Sequence, residues 1–506
     1  MKTDVARIAV GLLLAMSLMV TPVQAEGPLD GIDPFIQEQI RNGAMPGAVV
    51  LVARNGVVVK EQAYGYAVQF ADDKRTPLGP IPMRTDTIFD IASISKLFTA
   101  TAMMQLHDQG RFRLDDPVVK YLPEFAYGGR EKQQVTVRQL MTHSSGFESW
   151  LPLYERGANR DDRIHAVLRH PLQGQPGSKC VYSDLNLIVL GVLVEELSGQ
   201  RLDAYVRQHI TEPLGLHDTM YNPPPALRPR IAATEYQRGR GLVWGRVHDE
   251  NAWSFDGVAG HAGVFSTARD LTVFAQMMLN GGTYQGKRIL SSSAVRQMGQ
   301  NHLPSKSGDQ HGLGWELNQG WYMDALADPF TLGHTGFTGT SIVVSPGSGT
   351  ILLVLTNRVH PTRETPSINP VRRGVARQVA LSIPVPIPWR DGAWFAGMGD
   401  NLQNTMTLAA DLPQGGTLTF DTWYRIEQDR DYGYVEASRD GLMWVPVHSG
   451  FTGSGYWQRI ACDLPPGTRQ VRFRYSTNES INGRGWFVHA PNVEDVQGNK
   501  VQQTRK

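Results

Sequence analysis

Cysteine is scarce in this sequence. There are two, Cys180 and Cys462, in 506 residues. A disulfide framework is excluded as the source of stability, and both thiols are expected to be free. The fold must stand on apolar burial, which 41% hydrophobic composition over this length permits. An excess of one charge is also missing. Forty-nine Lys and Arg face 48 Asp and Glu, and no basic tract marks a nucleic-acid partner. Long hydrophobic runs are missing too. The most apolar stretch, 8–20, is well short of the ~20 residues a membrane-spanning helix needs. It follows Lys2 and Arg7 and leads to "VQA" ending at Ala25. A charged start, a short apolar run and a small-x-small site predict a signal peptide over 1–25. The expected location is secreted or extracytoplasmic, at the cell wall or in the periplasm, with no transmembrane anchor after cleavage. Internal repeats and low-complexity tracts are absent.

The remaining sequence divides by texture. "DPFIQEQIRNG" (33–43) predicts a helix stopped at Asn42-Gly43. Two β runs flank Asn55-Gly56 in 48–65, a strong hairpin signal. From about 85 to 300 the pattern is mainly helical. Residues 183–199 predict a helix with Ser183 as its cap and Gly199 as its stop. Sheet character returns at 341–346 and 350–356, and a helix is expected over 368–381. Strands at both ends with helices between predict an α+β fold, one antiparallel sheet with a helical insert. "SIPVPIPW" (382–389) forbids helix and reads as an extended linker. Beyond it, apolar and polar residues alternate between turn signals such as Asp440-Gly441 and Pro466-Gly467. That predicts an all-β sandwich over 390–506.

Three short motifs carry chemistry. In "DIASISKLFT" (90–99), Ser93 and Lys96 are three apart, about 300° around a helix, and so share a face. Ser95 lies about 100° away from Lys96. Ser93 also stands at the helix start, where free N–H groups favour a developing oxyanion. A lysine in an apolar wall is expected to lose its charge and take the serine proton. In "VYSDLN" (181–186), Tyr182 stands at a loop-to-helix junction and can relay a proton. In "LGHTGFTGTSIVVSP" (332–346), His334-Thr335-Gly336 lies at a strand edge with exposed N–H groups. Taken singly, each has a bland reading: a cap, a buried phenol, a surface turn.

In this order they resemble the serine β-lactamase and penicillin-binding protein superfamily, in its class C-like branch. "LDDPVVKYLPEF" (114–125), "VTVRQLMTHSSGF" (135–147) and "GHAGVFSTARDL" (260–271) extend the likeness over nearly all of 30–381. The resemblance implies a serine hydrolase domain over 26–381. Ser93 would form the acyl-enzyme, and Lys96 and Tyr182 would share the proton transfers. The N–H groups of Ser93 and Phe337 would form the oxyanion hole, and His334, Thr335 and Gly336 the substrate-binding edge. No cofactor or metal is implied. Two positions depart from the β-lactamase pattern: Asp184 stands where Asn binds a substrate amide, and His334 where Lys is usual. At an ordinary pKa near 6.5 that histidine is only about a quarter charged at pH 7.

The expected substrates are small molecules or peptides, above all peptidoglycan fragments, as D-Ala peptides or muropeptide amides. An esterase or weak β-lactamase is the alternative, and a β-lactam or cell-wall binding sensor the non-enzymatic one. "VHDENAWSFDGVAGHAGVFSTARDL" (247–271) resembles wall-associated hydrolases of this group. His248, Asp249, Asn251 and His261 are expected mainly to hydrogen-bond that loop. The sandwich is similar to a module of immune-inhibitor-type secreted metalloproteases, and would bind a cell-wall polymer or pack on the hydrolase. Its Trp423, Trp444, Trp457 and Trp486 are expected in its core. Asp429 and Asp431 are expected as solvated loop acids rather than a calcium site.

Overall fold

The computed structural model describes residues 29–303, 310–389 and 392–501, so the predicted signal peptide lies outside the described residues. A seven-stranded sheet forms the frame. From one edge its strands are Glu316–Leu317, Leu332–Thr335, Ser341–Ser345, Thr350–Thr356, Gly47–Arg54, Val57–Phe70 and Pro77–Pro82. Every pairing is antiparallel, and Ala48 lies opposite Thr356. The Asn55-Gly56 turn has positive φ at both residues, 50° and 80°, matching the twist of a two-residue hairpin.

Both faces of this sheet are covered, which explains why "AVVLVA" (48–53) does not alternate with polar residues. Side chains of successive strand residues point to opposite faces. Ala48, Val50 and Val52 join one core with Val371, Val375 and Val379 of the helix Asn369–Leu381 and Ile32 and Ile36 of the helix Ile32–Arg41. Val49, Leu51 and Ala53 join the other, larger core, with Leu97 and Phe98 of the helix Ser95–Asp108 and Leu187 and Leu190 of the helix Asp184–Ser198. Burying each such Val, Leu or Phe stabilises by about 1.5–3 kcal/mol.

The helix Asp184–Ser198 ends at Gly199 in the left-handed conformation, as its sequence predicts. Its start differs from expectation. Ser183 makes no side-chain cap; its hydroxyl instead donates to the Glu148 carbonyl at 2.5 Å.

Two four-stranded antiparallel sheets form the sandwich. One holds Trp394–Phe395, Gly485–Asp495, Gly416–Arg425 and Ser454–Leu464; the other holds Gln403–Leu412, Thr468–Ser476, Tyr432–Ser438 and Trp444–Pro446. Phe420, Val435, Phe473 and Trp486 meet between them. Of the four tryptophans expected in the core, Trp486 is fully buried, but Trp423, Trp444 and Trp457 are half-buried. Trp457 sits where the linker crosses, donating to the Pro386 carbonyl at 2.8 Å. Trp444 lies under Arg472, 4.1 Å from its ring centroid. Asp429 is exposed, but Asp431, just before the strand Tyr432–Ser438, is fully buried rather than solvated, and its Oδ1 accepts the Asn478 N–H at 3.0 Å. Cys180 and Cys462 form no disulfide; both are thiols. Arg377, in the helix Asn369–Leu381, joins the two units by reaching Asp324 at 3.0 Å and Asp400 at 2.8 Å. Among the described residues, no helix is long and apolar enough to cross a membrane.

Candidate active site

Asp90 organises the approach to Ser93. Its carboxylate accepts the Ala92 N–H at 2.9 Å and the His248 N–H at 2.6 Å, and its carbonyl accepts the Thr338 hydroxyl at 2.8 Å. These bonds hold Ala92 at φ +47°, a conformation unfavourable for a residue with a Cβ. Ser93 follows on a single 3₁₀ turn, Ala92–Ile94, and the α-helix proper begins at Ser95. Ser93 and Lys96 therefore do not share one α-helical face, yet the Lys96 Nζ donates to the Ser93 Oγ at 2.8 Å. Ser95 points elsewhere: it is fully buried and accepts the Val264 N–H at 3.0 Å.

Lys96 is 0% exposed. Its ammonium lies 2.8 Å from Asp184 Oδ1, donates to the His261 carbonyl at 3.3 Å, and sits 4.9 Å from the Tyr182 ring centroid. Burial alone would lower its pKa. The Asp184 carboxylate, with Tyr182, outweighs burial, and the ammonium is held above the ordinary lysine value. The expectation of a neutral lysine is thus overturned by a neighbour the apolar pattern around Lys96 does not reveal. Asp184, expected to bind substrate, is turned onto Lys96. The His261 carbonyl comes this close because residue 260 is glycine. A Cβ there would stand 1.8 Å from the Leu187 carbonyl oxygen.

Tyr182 is 39% exposed. Burial of its surroundings pushes the phenol up to about 12, against the pull of Lys96. His143 packs on its ring at 4.6 Å and His334 lies 6.0 Å away. His334 is buried, with Nδ1 2.8 Å from the Thr335 carbonyl, and burial and the nearby Lys96 charge bring it down to about 3. It is neutral at pH 7, which corrects the expectation of a quarter-charged ring.

Ser93, Tyr182, Thr335, Gly336 and Phe337 line a cleft of about 670 Å³. A Cβ on Gly336 would lie 2.2 Å from Thr340 Oγ1 and 2.5 Å from the Ile91 carbonyl oxygen, so glycine is required where this edge meets the nucleophile segment. The cleft also contains residues the sequence reading missed: Glu316, Trp321, Arg358, Asn369 and Arg372. Burial pushes the Glu316 carboxyl up to about 7. An acid directly after the buried Trp315 in "GLGWEL" was the available signal. Arg372 donates to the carbonyls of Gly336 and Thr340, and Arg358 to that of Phe337 at 3.2 Å. None of His248, Asp249, Asn251 and His261 lines this cleft among the described residues. His248 pairs with Glu235 and His261 with Asp249, both at 2.9 Å, and Asn251 donates to the Leu151 carbonyl.

The sequence profile of the beta-lactamase family matches residues 32–377. The chain belongs to the beta-lactamase family. A relative from Escherichia coli named "Putative D-alanyl-D-alanine carboxypeptidase" is 34% identical over 374 residues, covering 68% of this chain and 85% of the relative. Among solved structures, a class C beta-lactamase aligns with a TM-score of 0.57 at 22% identity, over 71% of this chain and 97% of that one. EstCE1, a hydrolase with promiscuous acyltransferase activity, aligns with a TM-score of 0.56 at 23% identity, over 70% and 98%. At such identities the two structures speak for the fold alone. This beta-lactamase family member is a serine hydrolase with the expected α+β core and antiparallel sheet, and its family match stops short of the sandwich.

Proposed function

We propose that this chain is an exported serine hydrolase that cleaves peptidoglycan-derived peptides through a Ser93 acyl-enzyme, with release of a terminal D-alanine favoured over muropeptide amide cleavage. The observation that carries it is the 2.8 Å contact between Lys96 Nζ and Ser93 Oγ in a cleft large enough for a peptide end. Ser93 Oγ attacks the penultimate carbonyl, Lys96 takes its proton, and Tyr182 helps deliver a proton to the departing amine. The N–H groups of Ser93 and Phe337 stabilise the oxyanion, and the Thr335-Gly336 edge aligns the peptide backbone. Water then releases the acyl group. The carboxypeptidase name of the relatives and the guanidinium group of Arg358 in the cleft wall support a substrate ending in a carboxylate.

A second reading is an esterase or a weak β-lactamase; the neutral His334, which offers no cation where β-lactamases of this branch carry one, favours ester hydrolysis and weakens the case for a dedicated β-lactamase. The proposal further divides the chain into a signal peptide (1–25), the hydrolase (26–381), a linker (382–389) and a jelly-roll-like sandwich (390–506). It places the protein at the cell wall or in the periplasm. The sandwich carries the likeness to the immune-inhibitor-type module. The Arg377 bridge supports packing on the hydrolase, with wall-polymer binding as an additional role.

The experiment is incubation with a muropeptide digest, read by mass spectrometry. Loss of one alanine from pentapeptide species, abolished by Ser93→Ala, is the expected result. Nitrocefin or 4-nitrophenyl ester turnover without any change in the muropeptides favours the second reading.

A further inference from the structure

The Lys96–Asp184 pair sets a problem for any reaction begun by Ser93. A lysine can accept a proton only when neutral, yet Lys96 is held as an ammonium by the carboxylate 2.8 Å away. Resting on the assignment of Ser93 and Lys96 above, we propose that Asp184 is the proton acceptor for Lys96, so that the base is generated inside the pair rather than by loss of a proton to solvent.

The geometry is that of a short relay. Ser93 Oγ and Asp184 Oδ1 each lie 2.8 Å from the same Lys96 Nζ. Of its other contacts, the His261 carbonyl at 3.3 Å can accept a hydrogen bond but not a proton, and Tyr182 is a phenol that burial keeps protonated, raised to about 12. Asp184 Oδ1 is buried and, among the described residues, no donor competes with Lys96 for it. A desolvated ion pair loses stability relative to its neutral form. Substrate that fills the cleft and expels water therefore drives the proton from Lys96 to Asp184.

The step balances. Lys96–NH₃⁺ and Asp184–COO⁻ become Lys96–NH₂ and Asp184–COOH. Lys96 then takes the Ser93 hydroxyl proton as Oγ bonds to the substrate carbonyl carbon. That proton leaves on the departing amine or alcohol, directly or through Tyr182. Asp184 returns its own proton to Lys96, and the pair is restored.

Several other groups act on this pair. Tyr182 packs against the ammonium, His143 and His334 feel its charge from the other walls, and Glu316 acts on it across the cleft. Asp249 and His261, bonded to each other, lie within 4.8 Å of Asp184. The test must cancel their titrations, and a ratio of rates does so.

The rate of Ser93 labelling by a fluorophosphonate probe is measured from pH 5.5 to 9.5 for the full chain and for Asp184→Asn. In the variant Lys96 must lose its proton to solvent. The ratio of wild-type to variant rate should then fall about tenfold per pH unit across the acid side and level off once that lysine is neutral. A ratio that does not change with pH, or a variant as fast as wild type at pH 6, overturns the proposal. Should Asp184→Asn be inert at every pH, Asp184→Glu decides. Recovery of the wild-type profile supports the relay, and inactivity with a native melting curve overturns it. Labelling of Ser93→Ala would instead bring down the nucleophile assignment, a separate result.

Discussion

Arg372 Nη2 donates to the Gly336 carbonyl oxygen at 2.9 Å and to the Thr340 carbonyl at 2.8 Å. A helix beneath the sheet thereby grips the strand end that carries the substrate edge. Arg372→Ala leaves both buried carbonyls without that donor. Each carbonyl keeps a backbone donor, the Gly339 N–H for Gly336 and the Gly336 N–H for Thr340, so the expected cost is that of losing hydrogen bonds from a charged donor, about 1.5–3 kcal/mol. Acylation should slow at least tenfold as the edge loosens. Urea unfolding and labelling kinetics measure the two effects, and an unchanged urea midpoint would contradict the role.

Gly336→Ala should act on rate more than on stability. Its methyl group would strike the Thr340 hydroxyl and the Ile91 carbonyl, two residues before the nucleophile. The strand end must shift away from Ser93. A displacement of about 1 Å near a reacting centre costs on the order of 10²-fold in rate. Single-turnover acylation tests this; a loss under twofold would show that the edge need not approach so closely.

Ser93 and Ser95 should separate cleanly. Ser93→Ala is expected to abolish labelling and leave the melting temperature nearly unchanged. Ser95→Ala removes the acceptor of the Val264 N–H. It should lower stability by about 1–2 kcal/mol while the probe still labels. The reverse pattern would assign the nucleophile to the wrong serine.

Asp431 predicts a pH dependence of stability. Burial, with Glu427 nearby, pushes its carboxyl from 3.8 up to about 6. Between those values the folded chain holds a proton that the unfolded chain has released. Stability from this group is therefore complete below pH 3.8 and lost as pH rises through 6. Asp431→Asn removes the loss. The sandwich of the variant should melt several degrees higher at pH 7.5 and nearly with wild type at about pH 3.5, by calorimetry. Equal melting at both pH values refutes this.

Local features of the fold were legible because their causes are local. Asn55-Gly56 marks the hairpin, Gly199 the helix stop, and the spacing of Ser93 and Lys96 their contact. The charge of Lys96 was not legible. It depends on Asp184, on another helix almost ninety residues along, and the motif read Asp184 as a substrate contact. His334 shows the same limit, since its loss of charge follows from burial among groups drawn from distant segments. Arg372 belongs to no motif, and its role depends on the Gly336 carbonyl, 36 residues away in sequence. Trp423, Trp444 and Trp457 misled in the other direction, because alternation along a strand does not reveal which face a linker or an arginine will cover.

The pairing of Ala48 with Thr356 closes the frame with strands roughly 300 residues apart. A growing chain makes its first hairpin early but cannot seat it until Thr350–Thr356 has been synthesised. Through most of synthesis the apolar edge of Gly47–Arg54 has no partner, and such edges recruit other chains. Slow, concentration-sensitive refolding follows from this order of assembly. The cleft is then a late product of folding, complete only after the strand before the last helix has docked.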